Sequence, residues 1–159
     1  MTATTRADLI DALRIKLAQL DHMGEHLDYT SRKVSVRFPM LSLAGLNPDE
    51  LEVLAAFKGR YAEFQDHLAA AMRLVARIEE VNVNAFTYVI NYMEKIGVIS
   101  SAEAWNDARA VRNDAAHAYS DDAAEQAGFF NQVYAKTPFL FETLAALRDF
   151  CRRTYPEGN

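Results

Sequence analysis

The chain has 159 residues, 17 Lys+Arg against 22 Asp+Glu, a formal net charge of -5, and 50% apolar side chains. That length suits one folding unit, 1–159, with a full core, and the acidic balance excludes a protein that grips nucleic acid by bulk positive charge. One cysteine, Cys151, excludes an internal disulfide or a thiolate metal cluster, and no apolar run approaches the roughly 20 residues that span a bilayer, so a cytoplasmic protein without membrane attachment is expected.

Leu9, Ile10, Leu13, Leu17 and Leu20 recur at three- and four-residue spacing and line one face of a first helix. Thr5 and Asp8 form a capping pair at its start. The pattern predicts a helix to about Leu27. From Asp28 to Leu46 the period is lost among Val34, Val36, Phe38, Pro39 and Gly45. This reads as a long connection, 28–46, with one short extended piece. Arg32, Lys33 and Arg37 make it a contact arm or, more simply, a solvated crossover.

A strong helix start follows. Asn47 caps, Pro48 suits the first helical position, and Asp49 and Glu50 oppose the helix dipole. Leu51, Leu54, Phe57, Tyr61, Phe64, Leu68, Met72, Val75 and Ile78 then form one apolar stripe ending near Glu80. A third helix is predicted from Asn84 to Lys95, stopped at Gly97. Ser100 and Glu103 have the spacing of a capping box and open a fourth helix through Trp105, Ala108, Val111 and Ala115. Asp121 and Asp122 begin the last segment, in which Pro138 either kinks one helix or starts another. Residues 155–159 read as a frayed tail. The pattern predicts an all-α antiparallel up-and-down bundle of about five helices.

Chemistry concentrates between Trp105 and Asp122. Arg109, Asn113 and His117 are spaced four apart and would share a face of an unbroken helix. Arg112 lies one residue aside. His117 falls near the carbonyl end of that helix, among the small side chains of Ala115, Ala116 and Ala118. Arginine stabilises an anionic, phosphorane-like centre and histidine moves protons. RNA cleavage by its own 2'-hydroxyl fits such a pair, because the substrate brings the nucleophile. From residue types alone, helix capping or bridging by Arg112 and His117 is the plainer reading.

The run Arg112-Asn113-Asp114-Ala115-Ala116-His117-Ala118-Tyr119 resembles the R-x4-H motif of HEPN domains, with the x-Tyr extension of HepT-type toxins. The lead-in from Gly97 to Val111 and the phrase Phe57 to Asp66 are similar to the corresponding helices of that family, so the likeness covers roughly residues 50–150. The resemblance implies a HEPN-like helical bundle, a homodimer, and a metal-independent endoribonuclease site where two motif copies meet. It implies Arg112 and His117 as catalytic residues, Arg109, Asn113 and Asp114 as binding or orienting residues, and Tyr119 as an RNA contact and modification position. It implies a minimal nucleotidyltransferase antitoxin as partner, RNA as substrate, and neither metal nor cofactor. Members of the superfamily also serve as non-catalytic nucleotide- or substrate-binding subunits of such nucleotidyltransferases. Residues five apart on an ideal helix lie about 140° apart, so two copies aim Arg and His at one phosphate more easily than one.

Other singular residues carry weaker readings. His22 and His26 read most simply as a solvated polar face; a two-ligand metal edge, without an evident third ligand, is the alternative. His67 reads as a surface or dimer-edge residue and Cys151 as a buried filler rather than a nucleophile. Trp105 and Tyr92 can stack on bases or pack in the core. Arg148, Arg152 and Arg153 suit a helix C-terminal end and, as a second reading, could bind phosphate.

Overall fold

The computed structural model describes residues 2–158. Among them are five α-helices: α1 (Arg6–Val34), α2 (Pro48–Ile78), α3 (Phe86–Lys95), α4 (Ala102–Asn113) and α5 (Ala123–Thr154). Two short 3-10 turns follow α1 (Ser35–Arg37) and α4 (Asp114–Tyr119), and no strand occurs among the described residues. No helix there is long and apolar enough to cross a membrane.

The helix starts follow local chemistry. The Thr5 hydroxyl accepts from Asp8 N at 3.1 Å, and Asp8 Oδ2 accepts from Thr5 N at 2.8 Å. Asn47 and Glu50 repeat this reciprocal pairing before Pro48, at 2.8 and 3.1 Å. Each pair satisfies two amides that the first helical turn leaves without partners. Asp122 caps α5 by accepting from Ala124 N and Glu125 N. Gly97 takes a positive φ of 80° just after α3, a conformation that costs glycine nothing.

The predicted stripe of α2 is the centre of the core. Leu54, Phe57, Tyr61, Phe64, Leu68, Met72 and Val75 are all buried, and they pack with Leu13, Leu17, Leu20 and Leu27 of α1 and Val133, Leu140 and Leu147 of α5. Contacts join the start of α1 to the end of α2 through Arg6 and Ile78. Further along, Lys16 meets His67, and Arg60 meets the His26 carbonyl. Gly24 is buried where α1, α2 and α5 converge. A Cβ there would stand 3.3 Å from the Phe64 ring and 3.7 Å from Phe141.

Several boundaries differ from the sequence reading. Helix α1 does not stop near Leu27 but runs to Val34, with Leu27, Thr30 and Val34 buried on its core side. Thr30 continues the face because its hydroxyl bonds the His26 carbonyl at 3.1 Å. The connection therefore begins at the 35–37 turn rather than at 28. It holds a 3-10 turn where an extended piece is predicted, and Met40 and Leu43 from it enter the core. Asn131 fastens it to α5 by bonding both the amide and the carbonyl of Met40, each at 2.7 Å. Helix α3 opens at Phe86, two residues later than predicted.

Ser101, not Ser100, caps α4, and Glu94 takes the Ala102 amide that a Glu103 box would have left to water. Pro138 lies within continuous α5 and starts no new helix. The tail does not fray at once: Tyr155 is buried and its hydroxyl donates to Glu79.

Candidate functional site

Helix α4 carries Arg112 and leads into the turn that holds His117, and three interactions position the helix. Trp105, Ala108 and Val111 are buried against the rest of the core. The buried Tyr61 hydroxyl of α2 donates to the Ala108 carbonyl at 2.8 Å. Ser101 caps the start, accepting from Ala104 N at 3.0 Å. The α-helix ends at Asn113 and the chain tightens into the 3-10 turn Asp114–Tyr119. Gln126 of α5 donates to the Ala118 carbonyl at 3.0 Å and ties this turn down.

The tightening corrects one expectation. Arg109, Asn113 and His117 do not share a helix face. An α-helix turns by about 100° per residue and a 3-10 turn by about 120°, so four residues in the tighter form add roughly 80°. His117 is turned off the line of Arg109 and Asn113, toward α5.

The structure divides the candidate residues into three groups. In the first, Arg112 forms a two-bond pair with Asp66 of α2. Nε donates to Oδ1 at 3.2 Å and Nη2 to Oδ2 at 3.0 Å. These hydrogen bonds, and then the charge of Asp66, raise the Arg112 pKa further above its usual range. Asp66 also borders a cleft of about 320 Å³ with Gln65, Ala69, Ala70, Arg73, Phe86 and Arg109. The Arg73 guanidinium lies 5.4 Å from the Phe86 ring centre. Gln65 is buried, and its Oε1 has no hydrogen-bond partner among the described residues.

In the second group, His117 Nδ1 contacts Glu125 Oε1. The other carboxylate oxygen accepts from the Ser120 hydroxyl at 2.9 Å, and Ser120 Oγ accepts from Asp122 N at 3.1 Å. The Ser120 hydrogen bond, then the His117 contact, hold the Glu125 carboxyl below its usual range. His117, Asp114 and Glu125 line a small cavity of about 160 Å³ with Val111, Phe129 and Gln132.

In the third group, Tyr119 stands 79% exposed. The Lys58 ammonium donates to its hydroxyl at 3.1 Å and lies 4.2 Å from its ring centre. Asn113 is exposed at the end of α4. Within one chain, then, Arg112 is drawn to α2 and His117 to α5, and no described cavity is lined by both.

Asp66, Lys58, Ser120 and Glu125 complete these groups, and sequence reasoning assigned none of them a place there. Asp66 and Lys58 sit 46 and 61 residues from their partners. Glu125 is only eight residues from His117, and its placement in the first turn after the Asp122 cap was a usable signal.

The remaining candidates sit elsewhere. His22 and His26 are exposed on α1, and among the described residues no three His, Cys, Asp or Glu side chains gather to hold a metal. Trp105 is a core residue with 0% exposure, so it offers bases no face to stack on. Burial pushes the Cys151 thiol up to about 11, which keeps it protonated. Arg148 is paired with Asp21 of α1 rather than spent on its own helix end. The chain matches no family model, no curated protein and no solved structure.

Proposed function

We propose that the chain is a HEPN-type, HepT-like toxin. On this reading it is an antiparallel up-and-down bundle that pairs into a homodimer and cleaves RNA without a metal. The observation that carries the proposal is the 112–119 stretch, which ends a core-anchored helix and presents His117 and Tyr119 to solvent in an all-helical chain. The split of Arg112 toward α2 and His117 toward α5 favours a site assembled from two copies over one built within a single chain.

The chemistry needs only what the residues supply. A neutral His117 imidazole takes the proton from the 2'-hydroxyl. The O2'–P bond forms, the phosphorus becomes pentacoordinate, and the P–O5' bond breaks. Arg112 faces the added negative charge, where its fork can meet two phosphoryl oxygens. The leaving O5' takes a proton from an imidazolium, so the protons balance. The products are a 2',3'-cyclic phosphate and a 5'-hydroxyl. Arg109, Asn113 and Asp114 bind or orient the strand, and Tyr119 contacts RNA and accepts modification by a partner nucleotidyltransferase antitoxin. The test is incubation of the protein with RNA in chelator beside Arg112→Ala and His117→Ala. The proposal expects cleavage by the parent chain and about a hundredfold or greater loss in each variant.

A second reading has its own support. The cleft of about 320 Å³ between α2, α3 and α4 carries Arg73, Arg109 and the Phe86 ring around a buried, unpartnered Gln65 oxygen. Such a cleft suits a non-catalytic subunit that holds a nucleotide or substrate for a nucleotidyltransferase. Saturable nucleotide binding without RNA cleavage would select this reading.

A further inference from the structure

The His117–Glu125 contact contains more information than proximity. An ionised carboxylate has acceptors only, and a neutral imidazole has one donor and one acceptor nitrogen. Two lone pairs facing each other at hydrogen-bond distance repel. The nitrogen that meets Glu125 is Nδ1, so the proton must lie there. Glu125 is held ionised because its second oxygen is already served by Ser120. Ser120 is itself fixed, since its hydroxyl accepts from Asp122 N and its amide donates to the His117 carbonyl at 3.2 Å. The turn therefore closes on itself: His117, Ser120 and Glu125 hold one another through four hydrogen bonds that include Asp122.

We propose that Glu125, backed by the Ser120 hydroxyl, is the positioning residue of His117, fixing its neutral imidazole as the Nδ1–H tautomer and leaving Nε2 as the proton-accepting nitrogen. The tautomer claim stands on this geometry alone; its use in RNA cleavage rests on the function proposed above. Asp114 and Glu125 are the titratable groups that line the cavity with His117, and Asp122 acts on Glu125 from the start of α5. No cation lines that cavity to compete for the carboxylate. The arrangement follows the general logic of an acid–base histidine whose second nitrogen is tied to a carboxylate.

The experiment is nitrogen-15 NMR of the imidazoles in the full chain at about pH 8.5, two units above the ordinary histidine value, with His117→Gln to assign its signals. The parent chain should show His117 mainly as Nδ1–H. Glu125→Ala should return it to the Nε2–H form that free histidine favours. Glu125→Gln, whose amide oxygen still accepts from Nδ1–H, should retain much of the Nδ1–H form. A parent chain with His117 mainly Nε2–H overturns the proposal, and so does an unchanged Nδ1–H form in Glu125→Ala. Because the readout needs no RNA, it separates the two claims. A parent chain that cleaves RNA with His117 mainly Nε2–H refutes the positioning role alone, and correct tautomers in a chain that never cleaves RNA refute the nuclease reading alone.

Discussion

Asp66 clasps the Arg112 guanidinium with both carboxylate oxygens, at 3.2 and 3.0 Å, across the gap between α2 and α4. The fork-to-fork geometry is the one Arg112 would offer a phosphate. Asp66 thus occupies the place of an anionic ligand, and on the proposed function RNA would have to displace it. Both side chains are about half exposed, 42% and 51%, so the pair contributes at most about 1 kcal/mol to folding.

Asp66→Asn should therefore leave the unfolding midpoint nearly unchanged and tighten RNA binding several-fold at low salt. Fluorescence anisotropy with a labelled single strand reads this directly. The affinity of both proteins should fall as salt rises, with the steeper fall in Asp66→Asn, because one more cation meets the backbone. Weaker binding by Asp66→Asn would mean that the carboxylate organises Arg112 rather than masks it.

Gly24 tests the packing of the three long helices. In an open helix, Gly→Ala gains about 1 kcal/mol from propensity. Here the new Cβ meets the Phe64 ring at 3.3 Å. Phe64 is fully buried and packs against Phe141 with centroids 5.5 Å apart, so it has little room to give. Gly24→Ala should lower stability by about 1 kcal/mol net, as overpacking outweighs propensity. A stabilised variant in urea unfolding would show that α1 and α2 can part without cost.

Tyr61 joins the core to the motif helix and should set an alkaline limit. Its hydroxyl is buried and bonded to the Ala108 carbonyl, and burial raises its pKa well above the usual 10.0. The unfolded chain releases this proton near the ordinary value while the native chain keeps it. Above about pH 10 the unfolded state binds fewer protons, so stability falls with rising pH. Tyr61→Phe should cost about 1 kcal/mol at neutral pH and flatten that alkaline decline. Equal pH profiles for the two proteins would remove Tyr61 as its source.

Much of the fold was legible because helix starts announce themselves locally. Thr5 with Asp8, Asn47 with Pro48 and Glu50, and Asp122 all cap where their spacing predicts. What was not legible depended on partners distant in sequence or on polar residues doing core work. Thr30 is buried with its hydroxyl bonded to the His26 carbonyl four residues back, so α1 continues without an apolar period. Tyr155 is held by Glu79, 76 residues away. In the candidate site, the motif residues were visible as a pattern. Their grouping was not, because the change from α to 3-10 geometry after Asn113 turns His117 away from Arg109.

On the proposed function, Tyr119 is the residue that a partner nucleotidyltransferase modifies. It is exposed and outside the core, so Tyr119→Phe should leave thermal stability within about 0.5 kcal/mol of the parent. With a cognate nucleotidyltransferase and a nucleoside triphosphate, the parent chain should gain one nucleotidyl mass and Tyr119→Phe none. Equal mass gain in both, read by intact-protein mass spectrometry, would place the modified residue elsewhere.

The composite site is tested most directly by mixing two inactive variants. Arg112→Ala and His117→Ala are each purified, then unfolded and refolded together so that mixed dimers form, and RNA cleavage is followed in chelator. If one copy's Arg112 works with the other's His117, a mixed dimer retains one intact pair, and the mixture should recover a substantial fraction of parent activity while neither variant alone has any. No recovery from mixed dimers beside an active parent chain, or undiminished cleavage by either variant alone, would contradict a site shared between two copies.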